Sequence, residues 1–298
     1  MSRRHVLLAL LVMLIWGANF VVISRGLVGV PPLVFVALRF LLIWPLVLFV
    51  PRPAAPWRHV ALVGLFLSVG QFGFLYSAIA AGMPPGLASL VLQLQAAITV
   101  VLAAALLAER PVVAQVVGVA VGVLGLVLVA VGRGGHVPLV AFVLCVLGAA
   151  SWALGNVVVR RLRIRGGLSL TVWSALVVPV PMLALAVALD GAGTVGHALT
   201  HLSAVNWLST AYTTVLASLL GYSIWNGLLA RYPASTVAPF TLLVPVVGMT
   251  VAYVADGEVP SMLAVVGAVV LIGGVGLTIL GRRLVTPRAP RHTEWVAS

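Results

Sequence analysis

The stretch Glu109–Arg133, ERPVVAQVVGVAVGVLGLVLVAVGR, returns at Glu258–Arg282 as EVPSMLAVVGAVVLIGGVGLTILGR. The two align without a gap at a constant offset of 149, with ten identities in twenty-five positions. Glu109 matches Glu258, Pro111 matches Pro260, and Arg133 matches Arg282. Gly118, Gly125 and Gly132 match Gly267, Gly274 and Gly281. Two Val- and Gly-rich segments would share only about two to four positions by composition, so the chain reads as two copies of one unit. An earlier pair agrees: Leu14-Ile15-Trp16-Gly17-Ala18-Asn19 is echoed by Ser151-Trp152-Ala153-Leu154-Gly155-Asn156. Here the Trp offset is 136, so about thirteen residues enter between the two echoes. The stretch Asp190–Asn206 is their natural place and reads as a longer connection.

Of the 298 residues, 62% are apolar and 7% are charged. A soluble domain carries about 25% charged residues, so lipid must be the solvent for most of this surface. Spanning helices need about 20 apolar residues each. Ten such runs can be read, near 6–24, 32–50, 59–80, 85–108, 112–132, 137–159, 169–189, 205–229, 234–254 and 260–280. They are too long and too little alternating for barrel strands. The first follows Ser2-Arg3-Arg4, but it is too long for a signal-peptide core and carries Trp16 and Asn19, so it reads as a retained helix.

All seventeen basic residues are Arg. With the N-terminus inside, fourteen fall in cytoplasmic segments, only Arg25 and Arg133 fall outside, and Arg39 lies within a span. That asymmetry puts both termini in the cytoplasm. The Arg160–Arg165 run lacks the aromatic or groove-reading partners of a nucleic-acid site and suits anionic lipid. The expected fold is an all-α membrane protein of ten transmembrane helices. Five helices per copy is an odd number, so the second copy enters from the opposite side and the repeats are inverted. The expected units are residues 1–133, 134–282 and a disordered cytoplasmic tail, 283–298.

In the fifth and tenth helices Gly recurs every seven residues, two helical turns, and Gly118 and Gly122 form a G-x-x-x-G. Such stripes let helices approach closely in lipid. Whether the partner lies in the same chain or in a second copy stays open, and with it monomer or homodimer.

Polar residues within spans are few, and each is a candidate for a site. Trp16 and Asn19 share one face of the first helix, and Trp152 and Asn156 one face of the sixth. Gln71 and Tyr76 lie in the third, and Trp173 opens the seventh. In the fourth, Ser89 and Gln93 share one face, and Gln95 and Thr99 another. The eighth carries Thr214, Ser218, Tyr222 and Trp225 as a stripe. Singly, each could be an interhelical hydrogen bond worth about 0.6 kcal/mol. Together they read as the lining of an amphipathic cavity, with amides and hydroxyls for polar groups and aromatic faces for an ammonium.

Arg39 leaves three roles open: snorkelling outward, capping helix carbonyls, or attracting a substrate carboxylate. Pro245 falls inside the ninth helix, where it should kink it, and its repeat mate is Ala96, so a hinge is expected in one half only. All five acidic residues sit at helix ends or outside, which disfavours proton coupling through a buried acid. No nucleophile–base pair, metal cluster or P-loop is apparent, so neither enzyme nor ATP-driven pump is indicated, and no cofactor or metal is expected. His197 and His201, at helical spacing, read as a surface helix, and Cys145 as a packing residue.

Three further runs complete the pattern: Ala37-Leu38-Arg39-Phe40, Gly82-Met83-Pro84-Pro85-Gly86-Leu87-Ala88-Ser89-Leu90-Val91-Leu92-Gln93, and Leu242-Leu243-Val244-Pro245-Val246-Val247-Gly248. With the Trp16–Asn19 and Trp152–Asn156 motifs and Ala108-Glu109-Arg110, they resemble the drug/metabolite transporter superfamily over nearly the whole chain. The resemblance lies in the ten-helix EamA-type branch, closest to bacterial O-acetylserine/cysteine exporters. It implies a bacterial inner-membrane secondary transporter that exports small neutral amino acids or related metabolites by alternating access. A drug or other metabolite exporter is the alternative within the fold. A non-transporting scaffold or a polytopic lipid-modifying enzyme is the alternative of another class.

Overall fold

A computed structural model describes residues 1–132, 137–162, 167–232 and 237–285, and among these it contains helices and no strand. Seven helices are long and apolar enough to cross a membrane: α1 (Arg3–Gly26), α3 (Trp57–Ala80), α4 (Pro85–Leu107), α5 (Val113–Gly132), α6 (Leu139–Arg161), α7 (Gly167–Asp190) and α10, whose apolar part is Met262–Leu280. Two apolar helices are shorter, α2 (Pro32–Leu48) and α9 (Phe240–Asp256). Between α7 and α9 runs α8, helical over 204–231 and richer in Thr, Ser and Tyr than the others. The stretch read as a long loop holds a short helix, Ala192–Thr200, on which the exposed His197 and His201 stack with ring centroids 4.0 Å apart. α10 continues to Val285, past the expected boundary at residue 282. The rest of the expected tail lies outside the described residues, as do Arg133, Arg163 and Arg165.

The two halves carry the same irregularities at matching places. α3 widens to π-helix at Leu65–Gly70, and α8 does so at Tyr212–Leu220. α4 tightens to 3₁₀ at Leu92–Leu94, and the chain entering α9 does so at Ala238–Leu242. α2 and α7 also contain 3₁₀ stretches, Trp44–Leu48 and Ala175–Val177. The packing repeats as well. α1 lies against α8 and α9, α6 lies against α3 and α4, and α2 lies against α7. Each widened turn also takes a side-chain bond from the helix packed on it: Trp16 Nε1 donates to the Ala217 carbonyl at 2.9 Å, and Ser151 Oγ to the Phe66 carbonyl at 2.8 Å.

The glycine stripes find each other within the chain. A Cβ added at Gly118 would strike Thr278, one at Gly125 would strike Leu271, and one at Gly132 would strike Ala264, each closer than 3 Å. Seven residues forward along α5 are thus seven residues back along α10, so the two helices run antiparallel with backbones in contact. Outside this seam α5 shows Val116, Val123, Val127 and Val131, exposed apolar side chains suited to lipid tails. Of the G-x-x-x-G, only Gly118 needs to lack a side chain against its neighbours, because nothing lies within 4 Å of a Cβ at Gly122.

Helix ends are tied by polar groups. Glu258, in the α9–α10 connection, accepts from the N–H groups of Gly86 and Leu87 at 3.0 and 3.3 Å, so it caps the start of α4. Burial raises its carboxyl above the ordinary 4.5, those two hydrogen bonds pull the other way, and nearby Asp256 adds to the rise. Ser203 and Asn206 form a reciprocal cap at the start of α8, and Asn206 Nδ2 also donates to the Gly26 carbonyl at 2.9 Å.

Candidate functional site

Arg39 organises the polar interior. It projects from α2 and is 2% exposed, so its stem does not carry the charge out to an interface as a snorkelling residue would. Its Nε and Nη2 donate to Ser218 Oγ at 3.2 and 2.8 Å, and Nη1 donates to Tyr76 Oη at 2.9 Å. The guanidinium carbon lies 4.1 Å from the centroid of Phe72, one turn before Tyr76 on α3. Thr214 Oγ1 donates to the Arg39 carbonyl at 3.0 Å. Thr213 lies within hydrogen-bonding reach of the Tyr76 phenol. Ser218 Oγ in turn donates to the Thr213 carbonyl at 2.9 Å, five residues back along the π stretch. The wider turn of α8 is what brings Ser218 to the guanidinium, and π segments of this kind recur at functional sites.

An aromatic group stands beside this cluster. The Trp16 ring lies 5.2 Å from Tyr222 and 5.5 Å from Trp225, centroid to centroid. The expected stripe on α8 therefore divides. Thr214 and Ser218 serve Arg39, while Tyr222 and Trp225 meet Trp16. Tyr222 is also within electrostatic reach of Arg39, which joins the two groups into one polar and aromatic zone between α1, α2, α3 and α8.

The two faces of α4 go to two different helices. Asn156 Nδ2 of α6 donates to Gln95 Oε1 at 3.0 Å and to Thr99 Oγ1 at 3.4 Å. On the other face, Ser89 packs against Gly248 of α9, and Gln93 Nε2 donates to the Thr241 carbonyl at 3.1 Å. Pro245 explains that last bond. A prolyl nitrogen has no hydrogen to give the carbonyl four residues back, and the Gln93 amide reaches that carbonyl instead. Pro245 is the third residue of the α stretch Leu243–Asp256, in a first turn that tolerates it, and the break in α9 falls before it, in the 3₁₀ stretch. The expected kink is therefore a change of helix type just upstream of Pro245.

The remaining candidates scatter. Asn19 is 8% exposed, and its Oδ1 has no hydrogen-bond partner. Gln71 is buried in α3 beneath Gly148 of α6. Trp152 packs half-buried on the core. Trp173 Nε1 donates to the Val50 carbonyl at 2.9 Å, which ties α7 to the end of α2 and places it away from Arg39. Phe72 and Thr213 had escaped the sequence reading. A signal existed: Phe72 precedes Tyr76 by four residues, on the same face. Among the described residues no group of three or more His, Cys, Asp or Glu could hold a metal.

Known proteins resemble the chain over most of its length. A family model described as the EamA-like transporter family matches twice, over residues 3–131 and 139–280. A "Probable amino-acid metabolite efflux pump" of Salmonella typhimurium is 42% identical over 291 residues, 95% of this chain and 97% of that protein. Its Escherichia coli counterpart, described in the same words, is 41% identical over 290 residues, again 95% and 97%. A "Probable terminal-alkyne amino-acid exporter" of Streptantibioticus cattleyicolor is 33% identical over 67% of each chain. One solved crystal structure shares the fold across 96% of this chain and 100% of its own, with a TM-score of 0.64 at 21% identity. The duplicated helical pattern, the apolar spans and the two family matches lead to one conclusion: the chain belongs to the EamA-like transporter family and is a multi-pass membrane transporter, not an enzyme.

Proposed function

We propose that the chain exports small neutral amino acids or related metabolites, of the O-acetylserine and cysteine class, across the bacterial inner membrane. It crosses ten times, as two inverted five-helix halves (1–133 and 134–282), with both termini in the cytoplasm, and works by alternating access. The carrying observation is the zone of buried Arg39, Tyr76 and Ser218 with half-buried Trp16 and Tyr222 beside them, a cation with hydroxyls and aromatic faces inside a largely apolar bundle. Such a set suits a solute that is charged at one end and small or apolar at the other. The antiparallel α5–α10 seam and the matched irregularities support inverted halves, and transporters built that way place their substrate between the repeats. The relatives described as an amino-acid metabolite efflux pump and an amino-acid exporter support a solute of the amino-acid kind.

The acids among the described residues, Glu109, Asp190, Asp256 and Glu258, sit at helix ends. The transporter should therefore run as a facilitator, or be coupled through substrate protonation, without a membrane-embedded acid. Proteoliposomes loaded with labelled cysteine or O-acetylserine should release label faster than empty-vesicle controls. No flux above those controls for any amino acid would overturn the reading. The aromatic group of Trp16, Tyr222 and Trp225 favours one second reading, export of a lipophilic solute. A lipophilic cation in the same panel would then be moved while the amino acids were not.

A further inference from the structure

We propose that Arg39 binds the carboxylate of the transported solute; this rests on the exporter reading and deepens it. The guanidinium meets neutral groups: the Ser218 and Tyr76 hydroxyls and the Phe72 and Phe40 rings. Three hydrogen bonds account for three of its five N–H groups. The acids among the described residues lie at helix ends, so none is placed within a span to neutralise it. A cation buried in low dielectric without an anion is destabilising. A fold that needed only a tie between α2, α3 and α8 could use a neutral group, and the other half builds its corresponding helix without a cation. There α7, over Gly167–Asp190, has no basic residue at all. Ser218 and Tyr76 hold the guanidinium through weak neutral acceptors that a carboxylate, a charged and bidentate acceptor, outcompetes. The aromatic group next to Arg39 then faces the rest of the solute.

The test compares an amino acid with its carboxamide in proteoliposomes holding wild-type, Arg39→Lys and Arg39→Gln protein. For the acid, Arg39→Gln should raise KM at least tenfold, and Arg39→Lys should raise it less. The carboxamide, already poor with wild type, should change less than threefold. Equal losses for acid and amide would overturn the role of Arg39 while leaving the exporter reading intact. No wild-type flux at all would overturn the exporter reading itself. Monodispersity and melting in detergent identify a variant that fails to fold. In that case Ser218→Ala, which removes one neutral acceptor competing with the solute, gives the second reading: a lower acid KM with the amide KM unmoved supports the inference, and acid and amide shifted alike oppose it.

A different observation carries a second inference. Arg25 closes α1 and pairs with Asp256 at the end of α9, and it also donates to the Ala255 carbonyl at 2.9 Å. Arg160 closes α6 and pairs with Glu109, just past α4, at 2.8 Å. The repeat relates α1 to α6 and α9 to α4, so the two ion pairs join corresponding helix ends, through neighbouring rather than matched residues. Each borders a cavity. One, of about 290 Å³, has Arg25, Ser209, Tyr212 and Ala255 in its wall. The other, of about 90 Å³, has Arg160, Glu109, Thr99 and Ala103. The side chains are partly exposed, 53% and 27% in one pair and 49% and 26% in the other. Ion pairs this exposed contribute little to stability and are weak enough to break in every cycle.

We infer that these pairs are alternating latches, each closing one mouth. Cysteines at Ser209 and Ala103, one in each cavity, report access to a membrane-impermeant thiol reagent. Arg25→Gln should raise labelling at Ser209→Cys several-fold and lower it at Ala103→Cys, and Arg160→Gln should do the reverse. Combining Arg25→Asp with Asp256→Arg should restore the wild-type pattern. Identical responses to the two single neutralisations, or none, would overturn the inference.

Discussion

Two residues show what a single group contributes. Asn19 Oδ1 is buried with no protein donor, which costs about 1–3 kcal/mol wherever nothing satisfies it. Asn19→Leu removes that group, so the melting temperature in detergent should hold or rise while transport falls several-fold. A lower melting temperature with transport falling in proportion would mean that the amide only holds helices together. Glu258 has a carboxyl raised above 4.5, chiefly by burial. The folded state therefore holds its proton more tightly than the unfolded chain does. That contribution is fully present below 4.5 and is lost as pH rises through the folded value. Glu258→Gln should flatten the melting temperature between pH 4.5 and 7, where the wild type should decline; parallel profiles would refute this. The sequence marked Glu258 only as the mate of Glu109. Its place over the Gly86 and Leu87 N–H groups depends on how a loop after α9 meets the start of α4, and no local pattern encodes that.

At the scale of the helices, periodicity was a faithful guide wherever one residue type recurred in step. The seven-residue glycine spacing of α5 and α10 is a seam in the structure. It explains why a Cβ at Gly125 would strike Leu271, while one at Gly122, whose backbone lies against Gly274, would point into open space. Gly125→Val should lower the yield of folded protein severely, since backbone atoms of α10 stand where the side chain must go. Gly122→Ala should be neutral within about 0.5 kcal/mol. Equal sensitivity at the two positions, measured by fluorescence-detected chromatography, would show the seam to be misplaced. Partnership across helices was harder to read. That Gln95 and Thr99 face away from Ser89 and Gln93 follows from spacing, but that one face meets α6 and the other α9 does not. The π and 3₁₀ stretches were invisible for a related reason: they arise from packing and carry no marker in composition. Pro245 was visible, and its meaning changed once Gln93 was seen on the Thr241 carbonyl.

For the whole molecule, the duplication and the membrane class could be read directly, because both rest on repetition and bulk composition. The site could be read only as a list of polar residues. Arg39 was among them, yet its place beside Ser218, 179 residues away, follows from a three-dimensional arrangement that residue spacing does not report. The proposed topology makes a plain prediction. The lone native thiol, Cys145, is buried, so cysteines introduced elsewhere report without a background. Leu189→Cys and Val259→Cys, both at exposed positions, should label from outside intact cells, and Arg110→Cys only after the membrane is opened. Labelling of all three from the same side would contradict the inverted arrangement.

The seam between α5 and α10 has a consequence for each half taken alone. Gly118 touches Thr278, and the corresponding residues Gly267 and Val129 touch as well. The same patch is therefore used on both sides, the signature of a contact between two identical molecules related by a twofold axis. A single half of this kind would carry the surface needed to pair with a second copy of itself in the antiparallel sense. The present chain uses that surface as its internal seam. Its two halves, expressed as separate polypeptides, should still find each other along it.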